Sequence, residues 1–193
     1  GFYQIFLHCP SFNCGYESHR FEKYYQHTLH LDKIPGLNII DCLNKYRETE
    51  ILEESDAWRC DKCKQLVRAE LTRYLWTTPV ILVIQFVRFI YTTHHKGKDS
   101  RFITYPLQNL DIAPFVSPMY KDMSKCYTYD LYSVINHTGD MGSGHYYTYC
   151  LNEQTNKWYI YNDTSVHEIP ASQVVNQNAY TLFYIRQDML QSD

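Results

Sequence analysis

The strongest constraint on the fold is a set of four cysteines arranged in two pairs, Cys9 with Cys14 and Cys60 with Cys63. The two-residue gap in Cys60-Asp61-Lys62-Cys63 lets two thiolates reach one tetrahedral zinc from a tight turn, and a second pair would complete the tetrahedron. Four sulfurs in two pairs therefore read as a structural Zn2+ site that staples two distant hairpins together. The residues leave alternatives open. Cys-x-x-Cys is also a redox spacing, and Ser11 stands where a Cys-x-x-Cys ending at Cys14 would have its first cysteine. His8 is a candidate ligand in place of Cys9, and a metal-free turn is the remaining reading.

The other cysteines, Cys42, Cys126 and Cys150, bring the total to seven, an odd number in a chain without secretory marks. A complete disulfide framework is disfavoured, and a cytoplasmic or nuclear setting is the expectation. The chain opens at Gly1-Phe2 with no initiating methionine, which suggests a piece of something longer. A net charge of -3, with acidic and basic residues mixed, lacks the basic surplus that nucleic-acid binding requires. The longest apolar run, Pro79 to Ile90, is interrupted by Gln85 and Arg88, so no membrane span is expected. At 193 residues and 45% hydrophobic the chain can bury a real core, and no organic cofactor motif is present.

Local patterning predicts an α+β chain dominated by antiparallel sheet. Strands are expected at 2–8, 24–31 and 65–76, a helix at 38–46 from the spacing of Ile39, Ile40, Leu43 and Tyr46, and an acidic connection at 48–58. After Pro79 the texture changes to longer strands rich in branched and aromatic residues. The continuous run Val80 to Phe86 predicts a strand covered on both faces. A polar loop follows at 91–100 and an irregular, proline-bearing connection at 106–118. Strands are then expected at 127–137, 145–151, 157–161 and 179–186, with a short helix opening at Pro170. The divide falls near residue 78, giving a cysteine-stapled module over 1–78 and a β-rich module over 79–193.

Gly142-Ser143-Gly144-His145-Tyr146 places a histidine at the start of an expected strand, and Asn162-Asp163 ends the next one, four residues beyond Trp158. A thiol hydrolase needs that combination: an imidazole to take the thiol proton and a second group to orient the ring.

Taken in order, Cys14-Gly15, Trp58-x-Cys60-x-x-Cys63, Pro79-x-x-Leu82 through Arg88-Phe89, Tyr129-x-Leu131-x-x-Val134, Gly144-His145-Tyr146, Trp158 to Asn162-Asp163 and Ala179-Tyr180 to Tyr184 resemble the ubiquitin-specific protease family over essentially the whole chain. The resemblance implies a papain-like cysteine protease fold likened to a right hand, with residues 1–78 as zinc-ribbon-like fingers and 79–193 as an antiparallel β palm. It implies a deubiquitinating thiol hydrolase that cuts (iso)peptide bonds after the C-terminal glycine of ubiquitin, with ubiquitin and ubiquitinated proteins as partners. His145 would be the general base, Asn162 its orienting partner, and Asp163 an adjacent or substitute orienter. The segments 136–144 and 91–101 would flank the groove for the ubiquitin tail, although ordinary solvated turns account for them equally well.

The family's nucleophilic cysteine, with its upstream asparagine and following helix, has no counterpart here. Asn13-Cys14-Gly15 imitates it, but Tyr16-Glu17-Ser18-His19-Arg20 is not an apolar helix face, and Cys14 fits the finger pair better. The expectation is fingers and palm without the thumb that carries the nucleophile, inactive in isolation. A non-catalytic ubiquitin-binding scaffold is the second function class, and a zinc-stabilised interaction domain unrelated to ubiquitin is the third.

Overall fold

A computed structural model describes residues 1–31, 38–91, 96–140 and 142–190. The N-terminal part runs through β1 (Phe2–His8), β2 (Glu17–Lys23), β3 (His27–His30), α1 (Ile39–Arg47), β4 (Glu50–Ile51), β5 (Trp58–Arg59), β6 (Leu66–Val67) and β7 (Glu70–Thr77). The remainder holds β8 (Ile81–Val87), β9 (Phe89–Tyr91), β10 (Lys96–Lys98), β11 (Leu110–Asp111), β12 (Thr128–Gly139), β13 (Gly144–Asn152), β14 (Lys157–Asn162), β15 (Ser165–Ile169) and β16 (Ala179–Arg186).

Among the described residues these strands form two principal sheets. An antiparallel sheet of order β2-β1-β7-β4 makes the narrower element, with the short β5–β6 hairpin beyond it. The larger sheet has the order β15-β14-β13-β12-β16-β8-β3, with β11 pairing the start of β12. Its pairings are antiparallel except for β3 on β8. β12 alternates buried and half-buried side chains, with Tyr129, Leu131 and Val134 inward, and bulges shift its register against β16.

The buried run in β8 departs from the sequence expectation. Leu82, Ile84 and Phe86 are buried, but Ile81, Val83, Gln85 and Val87 are only half-buried, so one face is core and the other is partly open. An apolar run cannot by itself distinguish a strand covered twice from one whose second face stays half-wet.

Packing does not follow the chain at residue 78. β3 joins the large sheet, and α1 lays Ile39, Cys42 and Leu43 into the same core as Leu82, Ile84, Phe86, Tyr129, Leu182 and Tyr184. The helix begins where Asn38 accepts the Asp41 backbone N–H at 2.9 Å, and Lys45 and Arg47 sit in its last turn, where cations favour the dipole. Ile40 faces outward and Cys42 takes the inward place that the apolar spacing suggested for it. The 65–76 strand is broken because β6 pairs with β5 while β7 pairs with β1. The expected helix after Pro170 is a single 3-10 turn, Ala171–Gln173, pinned by buried Val174.

A second, smaller core gathers Leu7, Trp58, Ala69 and Leu71 around Cys9, Cys14 and Cys60. Each large apolar side chain there contributes about 1.5–3 kcal/mol. Fixing each backbone residue costs about 1–2 kcal/mol, and the two cysteine loops order many more residues than this cluster has apolar side chains. The four cysteines are placed where a cross-link would hold the two loops together.

Candidate active site and metal centre

The cysteine pairs converge from two turns. The first turn is closed by Cys14 N donating to Ser11 O at 2.9 Å and by Cys9 N donating to Tyr16 O at 2.9 Å. Asn13 at φ 60° and Gly15 at φ 53° adopt the left-handed conformation that reverses the chain, which asparagine and glycine tolerate best. In the second turn Lys64 N donates to Cys60 O at 2.9 Å, with Lys64 itself left-handed at φ 62°. Lys62 Nζ donates across to Cys14 O at 2.7 Å and latches the two turns together.

The ligand atoms of Cys9, Cys14, Cys60 and Cys63 all lie within 4.8 Å of one another. Cys9 and Cys63 sulfurs are 3.8 Å apart, and Cys14 and Cys60 sulfurs 3.7 Å. A disulfide needs about 2.05 Å, and all four thiols are free. A tetrahedron with metal–sulfur bonds of about 2.3 Å has edges of about 3.8 Å, and these two sulfur pairs stand at that spacing. Four soft donors with no carboxylate fit zinc or iron and not calcium or magnesium. Burial opposes ionisation of Cys60, but backbone N–H groups of Cys63 and Lys62 together with hydrogen bonds from the Cys63 and Cys9 thiols outweigh it and bring that thiol down to about 7. Its neighbour Cys14 moves the other way, pushed by burial to about 11; a bound cation would reverse that.

The alternatives left by the sequence separate here. His8 is outside the sulfur set and pairs with Glu70 at 3.2 Å, whereas Cys9 is inside it. Ser11 makes a hydrogen bond to Gln65 Oε1 at 3.2 Å, so the longer gap between Cys9 and Cys14 is absorbed by the turn.

His145 occupies the start of β13, opposite Thr138 of β12, with Gly144 opposite Gly139. The glycine at 144 is required by space, since a Cβ there would overlap the His137 ring and come within 2.9 Å of Thr138 O. Gly139 has φ +83°, the conformation that favours glycine and turns β12 out of its last pairing. β14 pairs with β13 through Thr148 opposite Tyr161, which brings Asn162, one residue on, to the same face as His145. His145 Nε2 and Asn162 Oδ1 are 2.6 Å apart.

The amide oxygen can only accept, so Nε2 carries the proton in the neutral ring and Nδ1 is the bare, basic nitrogen. Asp163 Oδ2 lies 3.9 Å from Nε2 and is largely solvated. Its backbone is left-handed at φ 51°, in the turn that returns β14 to β15. Asn162 makes the direct contact with the ring.

None of the cysteines is a hydrogen-bond partner of His145 among the described residues. Cys42 is buried in α1, Cys126 donates to Thr128 O at 3.5 Å, and Cys150 lies 3.3 Å from Ser133 Oγ. Cys14, the one imitation of a nucleophile, belongs to the sulfur cluster.

Two groups escape sequence reading. Arg88 is fully buried, donating through Nε to Ala179 O and through Nη1 to Asp99 O and Arg101 O. Lys98 donates to His137 O at 2.6 Å and Gly139 O at 3.0 Å. Only the interruption of an apolar run by Arg88, and a polar Lys96-Gly97-Lys98, mark them in the sequence. Part of that polar stretch, 92–95, lies outside the described residues, as does residue 141 of the glycine loop.

Solved structures share this architecture. The SAGA DUB module Ubp8/Sgf11/Sus1/Sgf73 bound to monoubiquitin aligns with a TM-score of 0.83 at 24% identity, over 96% of this chain and 40% of that one. The same module bound to ubiquitin aldehyde gives 0.82 at 23% identity, over 96% and 41%. The fold is the α+β, papain-like type of the ubiquitin-specific proteases, with an antiparallel palm and zinc-ribbon-like fingers.

The family model for ubiquitin carboxyl-terminal hydrolase matches residues 9–184, and the chain belongs to that family of hydrolases. A protein named probable ubiquitin carboxyl-terminal hydrolase from Acanthamoeba polyphaga mimivirus is 39% identical over 195 aligned positions, covering 100% of this chain and 41% of that protein. Ubiquitin carboxyl-terminal hydrolase 4 of Bos taurus is 34% identical over 180 positions, covering 91% of this chain and 18% of that protein. The chain thus spans about two fifths or less of the length of these relatives.

Proposed function

We propose that this chain is the base-bearing part of a ubiquitin-directed thiol hydrolase that cleaves (iso)peptide bonds after the C-terminal glycine of ubiquitin. The observation that carries the reading is the 2.6 Å contact between His145 Nε2 and Asn162 Oδ1. With Nε2 committed to the carboxamide, Nδ1 is free to take a proton from a cysteine thiol and return it to the leaving lysine amine. It then takes a proton from the water that hydrolyses the thioester. Asn162 fixes the tautomer, and Asp163 stands beside the pair at 3.9 Å from Nε2.

In this reading the finger strands β1, β2 and β7 cradle globular ubiquitin, and the large sheet forms the palm beside the groove for its tail. The complexes of the similar folds with monoubiquitin and ubiquitin aldehyde support ubiquitin as the partner. Cys9, Cys14, Cys60 and Cys63 would hold a structural zinc that keeps the two cysteine turns together and takes no part in the chemistry. The nucleophile belongs to sequence outside these residues, and a cytoplasmic or nuclear protein is in keeping with free thiols.

The test is turnover of a fluorogenic C-terminal ubiquitin amide. The longer protein that carries this chain should release the fluorophore, and the 193-residue chain alone should not. Turnover by the chain alone that disappears in Cys14→Ala would overturn the assignment. Tight ubiquitin binding without turnover by the longer protein would replace it with the scaffold reading.

A further inference from the structure

The backbone beside His145 ends in an unusual way. On one edge β12 is paired with β13 as far as Gly139 opposite Gly144, with Thr138 opposite His145. On its other edge the register with β16 stops at Asn136 opposite Ala179, and the last bond is His137 N to Asn178 O at 2.9 Å. The carbonyls of His137 and Gly139, which point to that second edge, therefore extend past the strand that should supply their donors. Unsatisfied carbonyls at a sheet end leave the terminal pairing free to fray.

Lys98 fills the place of the missing strand. Its Nζ donates to both carbonyls, at 2.6 Å and 3.0 Å, on either side of Thr138. The lysine is held in turn. Lys98 pairs with Phe89 in the β9–β10 hairpin, and Phe89 packs edge-on against the His137 ring at 5.2 Å. Asp99, the next residue, donates its N–H to Arg88 O at 2.6 Å and accepts from the buried Arg88 guanidinium through its own carbonyl at 2.9 Å. A fixed ammonium thus grips the two peptide units flanking the residue that pairs with His145.

We propose that Lys98 is a positioning residue for His145. Its ammonium completes the open edge of β12, keeps Thr138 in register with His145, and so holds the imidazole where Asn162 can orient it. The inference concerns the geometry of His145 in this chain; its consequence for turnover rests on the hydrolase reading above.

The experiment compares the wild type with Lys98→Met, which keeps the stem and removes the donors, and Lys98→Arg, which keeps charged donors. In the 193-residue chain, amide exchange at Thr138 and His145, which face each other across β12 and β13, should accelerate by about tenfold or more in Lys98→Met, with α1 and β14 unchanged. The 15N signal of the His145 Nε2 proton should weaken in Lys98→Met and return in Lys98→Arg. In the longer protein, kcat for the ubiquitin amide should fall about tenfold with KM unchanged, and recover in Lys98→Arg.

Unchanged exchange and an unchanged His145 signal in a folded Lys98→Met chain would overturn the proposal. So would loss of the signal in a folded Lys98→Arg chain, which decides the matter if Lys98→Met does not fold. A wild-type longer protein without turnover would count against the hydrolase reading alone, since the exchange and imidazole measurements judge Lys98 independently.

Discussion

His145→Ala in the longer protein is expected to lower kcat/KM for a ubiquitin C-terminal amide by about a hundred- to ten-thousand-fold, the range a positioned acid–base group supplies. That corresponds to about 3–5 kcal/mol of transition-state stabilisation. The loss should come without unfolding. The His145 side chain is 46% exposed, and its side-chain hydrogen bond among the described residues is to Asn162. Changes at such exposed positions usually stay within about 0.5 kcal/mol of wild-type stability.

Asn162→Ala should produce a smaller fall, because the imidazole remains but its tautomer is no longer fixed. Asn162→Asp should retain more activity than Asn162→Ala, since a carboxylate can still accept the Nε2 proton. Asp163→Asn should matter least, as Asp163 lies 3.9 Å away and is 79% exposed. Equal losses at Asn162 and Asp163, measured as kcat/KM side by side, would contradict the order given by the geometry.

The second large effect concerns the metal. The chain purified without chelator should carry one zinc per molecule, and Cys60→Ser should carry none. Structural zinc sites are worth about 10–16 kcal/mol in small finger peptides, so its loss should release most of the order in the cysteine turns. Amide protection should collapse in β5, β6 and the adjoining ends of β1 and β7, because their small core has only Leu7, Trp58, Ala69 and Leu71 besides the cysteines. The larger core built on Leu82, Ile84, Phe86, Tyr129 and Tyr184 should keep its protection. Hydrogen exchange resolves the two regions. Less than about a tenth of an equivalent of zinc, with undisturbed protection in Cys60→Ser, would mean that the sulfur cluster folds without metal.

The elements legible in the sequence are those with an apolar pattern. α1 puts its apolar side chains on one side, and β1, β12 and β16 are dense in apolar and aromatic residues, and their extents follow from those patterns. β2 and β15 were invisible for the opposite reason. Both are edge strands with both faces largely in solvent, so Glu17-Ser18-His19-Arg20-Phe21-Glu22-Lys23 carries no period to detect. The parallel docking of β3 on β8 is a long-range event that local spacing does not encode.

The candidate site was legible to a different depth. His145 and Asn162 stood out because a glycine-flanked histidine opens one strand and a carboxamide closes the next, and register brings them together. The four-cysteine cluster followed from count and pairing, but that Cys9 and not His8 joins it depended on strand alternation, since neighbouring residues in β1 and its exit point to opposite sides. The role of Lys98 could not be read. Its role depends on where β16 stops against β12, and no residue type announces the end of a pairing.

The central claim is that this chain supplies the base and orienter of a ubiquitin hydrolase, while the nucleophile lies outside it. The most direct measurement treats the longer protein with ubiquitin bearing a C-terminal electrophile and locates the modified cysteine by peptide mass spectrometry. The account predicts a single adduct on a cysteine outside residues 1–193, formed much more slowly in His145→Ala. An adduct on Cys14, or on any other cysteine of this chain, would contradict it.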